Sequence, residues 1–258
     1  MPLSTQRHHH SRQVTRGIHP IQTMTNTLSP RTRRFIILVD RVVLFITQHW
    51  LALAIISLTI FSGLPILAPI LLHAGITAPA DVIYRVYSLT CHQLAYRSFF
   101  FFGAQSAYTI DELQHALGVT NDAADAFFWR QVIGDAHLGY KMAWCERDAA
   151  IYAAMILAFI VLGLLQTRAP RLDWRVYLFV FVLPMAVDGA WQLLTSPLHI
   201  VPFLPAHESS ALDRVITGAL FGIGSVWLVF PYIAEAMRDA YKDARYQYER
   251  ARERERLG

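Results

Sequence analysis

The sequence predicts an all-α polytopic membrane protein with four transmembrane helices plus short interfacial helices in an outer loop. Four apolar stretches carry that prediction: Val42–Leu64, Ala149–Leu165, Val176–Leu194 and Val215–Ile233. A hydrocarbon core of about 30 Å needs roughly 20 residues of helix at about 1.5 Å per residue. The composition agrees, with 54% hydrophobic against 16% charged residues and a mean hydropathy of +0.33. The distribution of charge is the second observation. Arg7 to Arg41 precede the first stretch, Arg168, Arg171 and Arg175 separate the second from the third, and Arg238 to Arg256 follow the fourth. Four spans put these three regions on one side, and cytoplasmic loops are enriched in Lys and Arg, so both termini are expected in the cytoplasm. The same placement assigns the formal charge of +4 to membrane topology and not to nucleic-acid binding.

The expected organisation follows in chain order. Residues 1–34 form a polar, disordered cytoplasmic tail, whose His8–His10 run is weak ground for a metal site. Residues 35–234 form the four-span domain, whose first span doubles as its insertion signal. The outer loop 73–148 is acidic on balance. Within it Asp81–Gly103 reads as an interfacial or re-entrant helix, because a fifth crossing would break the charge rule. Thr109-x-x-Glu112 has the form of a capping box and Gly118 of a helix stop. A further helix is expected from Thr120 or Asn121 to near Gly134. Residues 235–258 read as a solvated, charged helix that continues the fourth span.

Candidate chemistry gathers at the outer side. Two cysteines exist, Cys91 and Cys145. A structural disulfide between them is the first reading. The alternatives are a divalent metal site formed with His92 and Asp148, for which zinc suits the thiolate and imidazole donors, two unconnected thiols, or a pair that cycles between thiol and disulfide. Asp188 lies in the third span, about 10 Å below the outer surface. Gln192 is one helical turn away, and Arg214 at the start of the fourth span is placed to pair with Asp188 or Asp213. Tyr152 is one turn into the second span from Asp148. An intramembrane acid is either a helix lock or a functional group. Arg97 and Arg147 complete a polar cluster that the topology brings to one membrane face. Gly218 and Gly222 form a G-x-x-x-G pair suited to close helix packing, including with a second copy.

Four segments also carry a resemblance: Cys91-His-Gln-Leu-Ala-Tyr-Arg-Ser-Phe99, Cys145-Glu-Arg-Asp-Ala-Ala-Ile-Tyr152, Asp188-Gly-Ala-Trp-Gln192 and Arg214-Val-Ile-Thr-Gly218. Over roughly Tyr84–Ile233 the chain resembles a prokaryotic predicted membrane protein family, domain of unknown function family 2085. In that family the second motif often reads C-x-R-C. The resemblance therefore implies a four-donor Cys-His plus Cys-Cys set, with Asp148 here in place of the last cysteine. It implies no established activity. The loop Gly103–Tyr140 is longer than the family's usual spacing.

Three functions remain open on these residues. The first is an inner-membrane protein that binds a metal ion or a small ligand at its outer face. The second is a membrane enzyme acting on a lipid or isoprenoid headgroup, and the third a small proton- or cation-coupled transporter using Asp188. The expected partners are the lipid bilayer and a metal ion or lipid-like ligand.

Overall fold

The computed structural model describes residues 29–119, 126–165, 170–195 and 207–257. The polar tail, and the predicted helix start at Thr120 or Asn121, lie outside the described residues. Four helices are long and apolar enough to cross a bilayer. They are α1 (Pro30–His73), α5 (Glu146–Leu165), α6 (Trp174–Thr195) and α7 (Ala211–Leu257). Between α1 and α5 lie α2 (Thr77–Tyr87), α3 (Ile110–Leu117) and α4 (Ala126–Gln131). The same stretch holds three short strands, β1 (Phe100–Phe101), β2 (Gly134–Asp135) and β3 (Gly139–Lys141), in the antiparallel order β1-β3-β2.

The predicted spans sit inside these four helices, and α1 and α7 run well beyond the bilayer length. The two stay associated there, because Arg41 Nε donates to Tyr248 Oη at 3.3 Å. The residues from Glu235 on continue α7 as the charged helix read from their spacing.

The core of the bundle is α5 against α7. At Gly218 an added Cβ would lie 2.7 Å from the carbonyl oxygen of Arg147, and at Gly222 2.4 Å from that of Ile151. The glycine pair is therefore spent on close helix packing inside the chain, the role its spacing suggests. Phe181 packs on Gly224 in the same way, with a Cβ there only 2.3 Å from its ring. That ring is carried by a π-helical turn, Tyr177–Val182, which widens α6 at this height.

Two prolines bind α1 to the loop that leads to α5. Pro65 and Pro69 lack an N–H, so the carbonyls of Phe61 and Pro65, four residues back, lose their helical donors. Tyr87 Oη donates to Phe61 O at 2.6 Å, and the Ala143 N–H donates to Pro65 O at 3.1 Å. The loop thus docks on the carbonyls that the prolines release. A lipid-exposed carbonyl without a donor would cost several kcal/mol.

The loop departs from its expectation between Asp81 and Gly103, and again in the small sheet. A single helix over Asp81–Gly103 does not form. Helix α2 starts earlier and stops at Tyr87, a 3-10 turn covers Ala95–Arg97, and Phe100–Phe101 form an edge strand. The reversal depends on Gln93 in the left-handed region at φ 53°. Its side chain is held by the carbonyls of Tyr84 and Ala143, both at 3.0 Å. The capping box at Thr109–Glu112 and the left-handed Gly118 terminate α3 as the sequence predicts.

Substituting Gly222 by Ala should lower thermal stability in detergent by about 1–3 kcal/mol, since the obstructing atom is backbone. Gly63→Ala, where nothing lies within 4 Å, should be neutral or stabilising. Equal melting temperatures for the two variants would contradict this packing.

Candidate metal centre and its ionic frame

Cys145 immediately precedes α5, so its sulfur faces the free N–H groups of the first helical turn. The Asp148 N–H donates to Cys145 Sγ at 3.4 Å. The Cys145 N–H in turn donates to Cys91 Sγ at 3.3 Å. Cys91 is held by its own N–H, which donates to Tyr87 O at 3.0 Å. Both cysteines are free thiols, and the pair stands 3.7 Å apart. The two sulfurs and a carboxylate oxygen of Asp148 all lie within 4.8 Å of one another. The bond to the Cys91 thiol, then burial, push the Cys145 thiol well above its ordinary value. His92 is exposed and stands outside this group. The aromatic core beside the cysteines includes Trp144, stacked on Tyr152 at 4.5 Å, with Phe61 edge-on to both.

The Cys91 loop is fastened by a residue the sequence reading passed over. Lys141, 0% exposed, donates from Nζ to Gln93 O and Arg130 O, each at 2.7 Å. Tyr84 Oη donates to the Lys141 carbonyl. No carboxylate pairs with this amine among the described residues. Burial first, and the Arg130 guanidinium besides, push its pKa down to about 7, against an opposing pull from Cys91. A neutral amine can still donate to both carbonyls, so the bonds do not need the charge.

Beside the thiols lies a frame of three arginines and three acids. Arg214 is the most enclosed of the arginines, at 5% exposure. Its Nε donates to Glu146 at 2.7 Å, its Nη1 to Glu208 at 2.9 Å and to Ser209 O, and its Nη2 to Tyr96 O at 3.2 Å. Arg97 grips both oxygens of Glu208, each bond 2.7 Å. Gln192 donates to the same carboxylate. Asp188 accepts from Arg147 and from Ser209 Oγ.

The expected Asp188–Arg214 pair is thus corrected. Arg147, one residue into α5, reaches Asp188 first, while Arg214 turns to Glu146 and Glu208. Asp213 is unavailable to Arg214 because it caps α7 with Ser210, each accepting from the other's N–H at 3.2 Å. Of the residues singled out from sequence, Arg97, Gln192 and Arg214 converge on Glu208. Asp188 meets Arg147, and Cys91 meets Cys145 and Asp148. Tyr152 belongs to the aromatic core. Glu146, Glu208 and Ser209 were missed. Glu146 carried a signal, since it opens a span at the end where Arg214 opens another. Glu208 had none beyond its place shortly before the fourth span.

The three arginines are matched by three acids, and Asp148 makes no ion pair among the described residues. Among the buried side-chain nitrogens described, Arg147 Nε has no hydrogen-bond partner.

Fold and site together define a polytopic α-helical membrane protein with a dithiol–carboxylate cluster at the loop end of its bundle. Residues 136–228 match the model of DUF2085, described as a predicted membrane protein. The resemblance read from the motifs therefore holds over the second to fourth of them, and the matched segment begins after Cys91. The chain is also 26% identical over 201 residues to the uncharacterized protein MJ1492 of Methanocaldococcus jannaschii, covering 76% of this chain and 99% of that one. No solved structure matches.

Two outcomes follow. Removing Arg147 or Asp188 alone (Arg147→Gln, Asp188→Asn) should cost about 3 kcal/mol, because each strands a mostly buried partner. The double variant should recover much of that loss in a thermal-melt cycle; additive losses would contradict the pairing. For Lys141 the folded pKa lies below the unfolded one. The folded chain then holds fewer protons between about pH 7 and 10.5, and stability rises with pH across that window. Below it both states are protonated and the dependence vanishes. Lys141→Met should be less stable, and the rise in melting temperature from pH 7 to 9 should shrink. An unchanged rise would contradict a depressed Lys141.

Proposed function

We propose that this protein is a multi-pass protein of the plasma membrane, both termini cytoplasmic, whose extracytoplasmic face binds a divalent metal ion. Cys91 Sγ, Cys145 Sγ and an Asp148 oxygen are the ligands, and zinc is the ion their chemistry favours. The spacing of the donors carries the reading. Sulfurs about 2.3 Å from a tetrahedral zinc are about 3.8 Å apart, and the pair stands at 3.7 Å. Backbone N–H groups already aim at both sulfurs, and a bound cation would supply the positive charge that the buried Cys145 thiol needs to lose its proton. Asp148 has no ion pair to give up among the described residues.

Three protein ligands leave a fourth position for water or an exogenous ligand, the arrangement of sites where a metal meets a substrate or cargo. Asp188 supports the transporter reading less well, since both of its oxygens are engaged by Arg147 and Ser209. The three neutralised arginines likewise give the lipid-headgroup enzyme no unmatched cation for a phosphate.

Metal analysis of the purified, reduced protein tests the proposal. About one equivalent of zinc per chain is expected, lost in Cys91→Ser and Cys145→Ser. Asp148→Asn should bind it more than about tenfold more weakly, the scale on which even outer partners of a metal ligand act. A metal-free wild type, whether with two titratable thiols or with a Cys91–Cys145 disulfide, would overturn it.

A further inference from the structure

At the opposite end of the bundle, between α1, α5 and α7, lies a second cavity of about 520 Å³ that none of the chemistry above uses. Its walls are of two kinds. Trp50, Phe230 and Pro231 form an apolar side, with the Trp50 and Phe230 rings 5.5 Å apart. Arg171, Arg238 and Glu235 form a charged side. Arg171 pairs with Glu235 at 2.9 Å and lies over the Tyr232 ring. Arg238 has no carboxylate partner among the described residues, and its Nε only turns back to Ala234 O at 3.3 Å. Two guanidinium groups against one carboxylate leave the site one positive charge in excess.

The location decides what such a site would meet. Trp50 packs on Phe230 within the apolar part of both helices, so the apolar side is at acyl-chain height. The arginines follow α5 and continue α7 beyond its apolar stretch, so they stand at headgroup height. The segment carrying Arg171 is pinned there, because Trp227 Nε1 donates to Pro170 O at 2.9 Å. This is the end that the distribution of positive charge assigns to the cytoplasm, where the leaflet is anionic. A free anion would use the arginines and leave the aromatic wall in contact with nothing of its own kind. A zwitterionic lipid would bring an ammonium group to a site already in cationic excess.

We propose that this cavity is a binding site for one anionic phospholipid of the cytoplasmic leaflet, its phosphate held by Arg171 and Arg238 and its acyl chain lying on Trp50 and Phe230. The guanidinium fork suits a phosphate oxygen pair. Glu235 keeps Arg171 in place and limits the number of negative charges the site accepts.

Native mass spectrometry of the full-length protein in detergent tests this, with phosphatidylglycerol, phosphatidylcholine and inorganic phosphate as probes, and with thermal melts in parallel. Phosphatidylglycerol should remain as a single adduct and raise the melting temperature, while phosphatidylcholine and inorganic phosphate should do neither. The variant Arg171→Gln/Arg238→Gln should lose at least about tenfold in phosphatidylglycerol retention, given about 1 kcal/mol for each basic residue near the surface. Lys242→Gln/Arg250→Gln removes the same charge from the same end, outside the cavity, and should retain the lipid as wild type does. Equal retention of phosphatidylcholine would overturn the proposal, as would equal protection by inorganic phosphate or an equal loss in the Lys242/Arg250 variant. The lipid panel on wild-type protein decides the matter even if an arginine variant fails to fold.

Discussion

Arg214 is the interaction on which the loop end of this protein depends. Its guanidinium meets Glu146 at the start of α5, Glu208 and Ser209 before α7, and the Tyr96 carbonyl of the Cys91 loop. Glu208 then passes the connection to Arg97 and to Gln192 of α6. One buried cation therefore sets the relative height of three spans and the loop that covers them. Such a group is tolerated only when its hydrogen-bonding positions are filled and its charge is matched. Here four of its five N–H donors meet an acceptor, and three acids stand against the three arginines. The separate Arg147–Asp188 pair supplies a second tie between α5 and α6.

That arrangement gives the thiol cluster its character. Because Glu146, Glu208 and Asp188 match the arginines, these do not compete for Asp148, which stands beside two sulfurs without an ion pair among the described residues. Cys145 is placed by the start of α5, and Cys91 by a loop that Lys141 and Gln93 fasten through backbone carbonyls. The prolines of α1 serve the same end from the other side, since the carbonyls they release receive Tyr87 and Ala143 next to the cluster. Donors belonging to α5 and the loop before it are thereby held on hydrogen-bonded supports. Positioning by the surrounding shell is what a metal site requires beyond the identity of its ligands.

Much of this was legible in the sequence, for reasons that differ from element to element. The four spans are long and apolar, so hydropathy alone located them. The cap at Thr109 and the stop at Gly118 are local chemistry, readable within a few residues. The Cys91, Cys145 and Asp148 association followed from topology, because segments ending at one membrane face are forced together. The partner of Asp188 was not legible, since Arg147 and Arg214 are both at that face and only the rotation of α5 decides between them. Glu208 and Lys141 were hidden for a related reason: each acts through contacts far away in the chain. The small sheet escaped because strands of two or three residues leave no period to read. The G-x-x-x-G pair was read correctly as a packing device, but which helix fills it is a question of tertiary arrangement.

X-ray absorption at the zinc edge of the purified protein tests most directly whether two sulfurs and a carboxylate at the loop end share one metal ion. Two sulfur scatterers at about 2.3 Å and two nitrogen or oxygen scatterers at about 2.0–2.2 Å are expected. A first shell of nitrogen and oxygen alone, with no sulfur, would contradict a shared site.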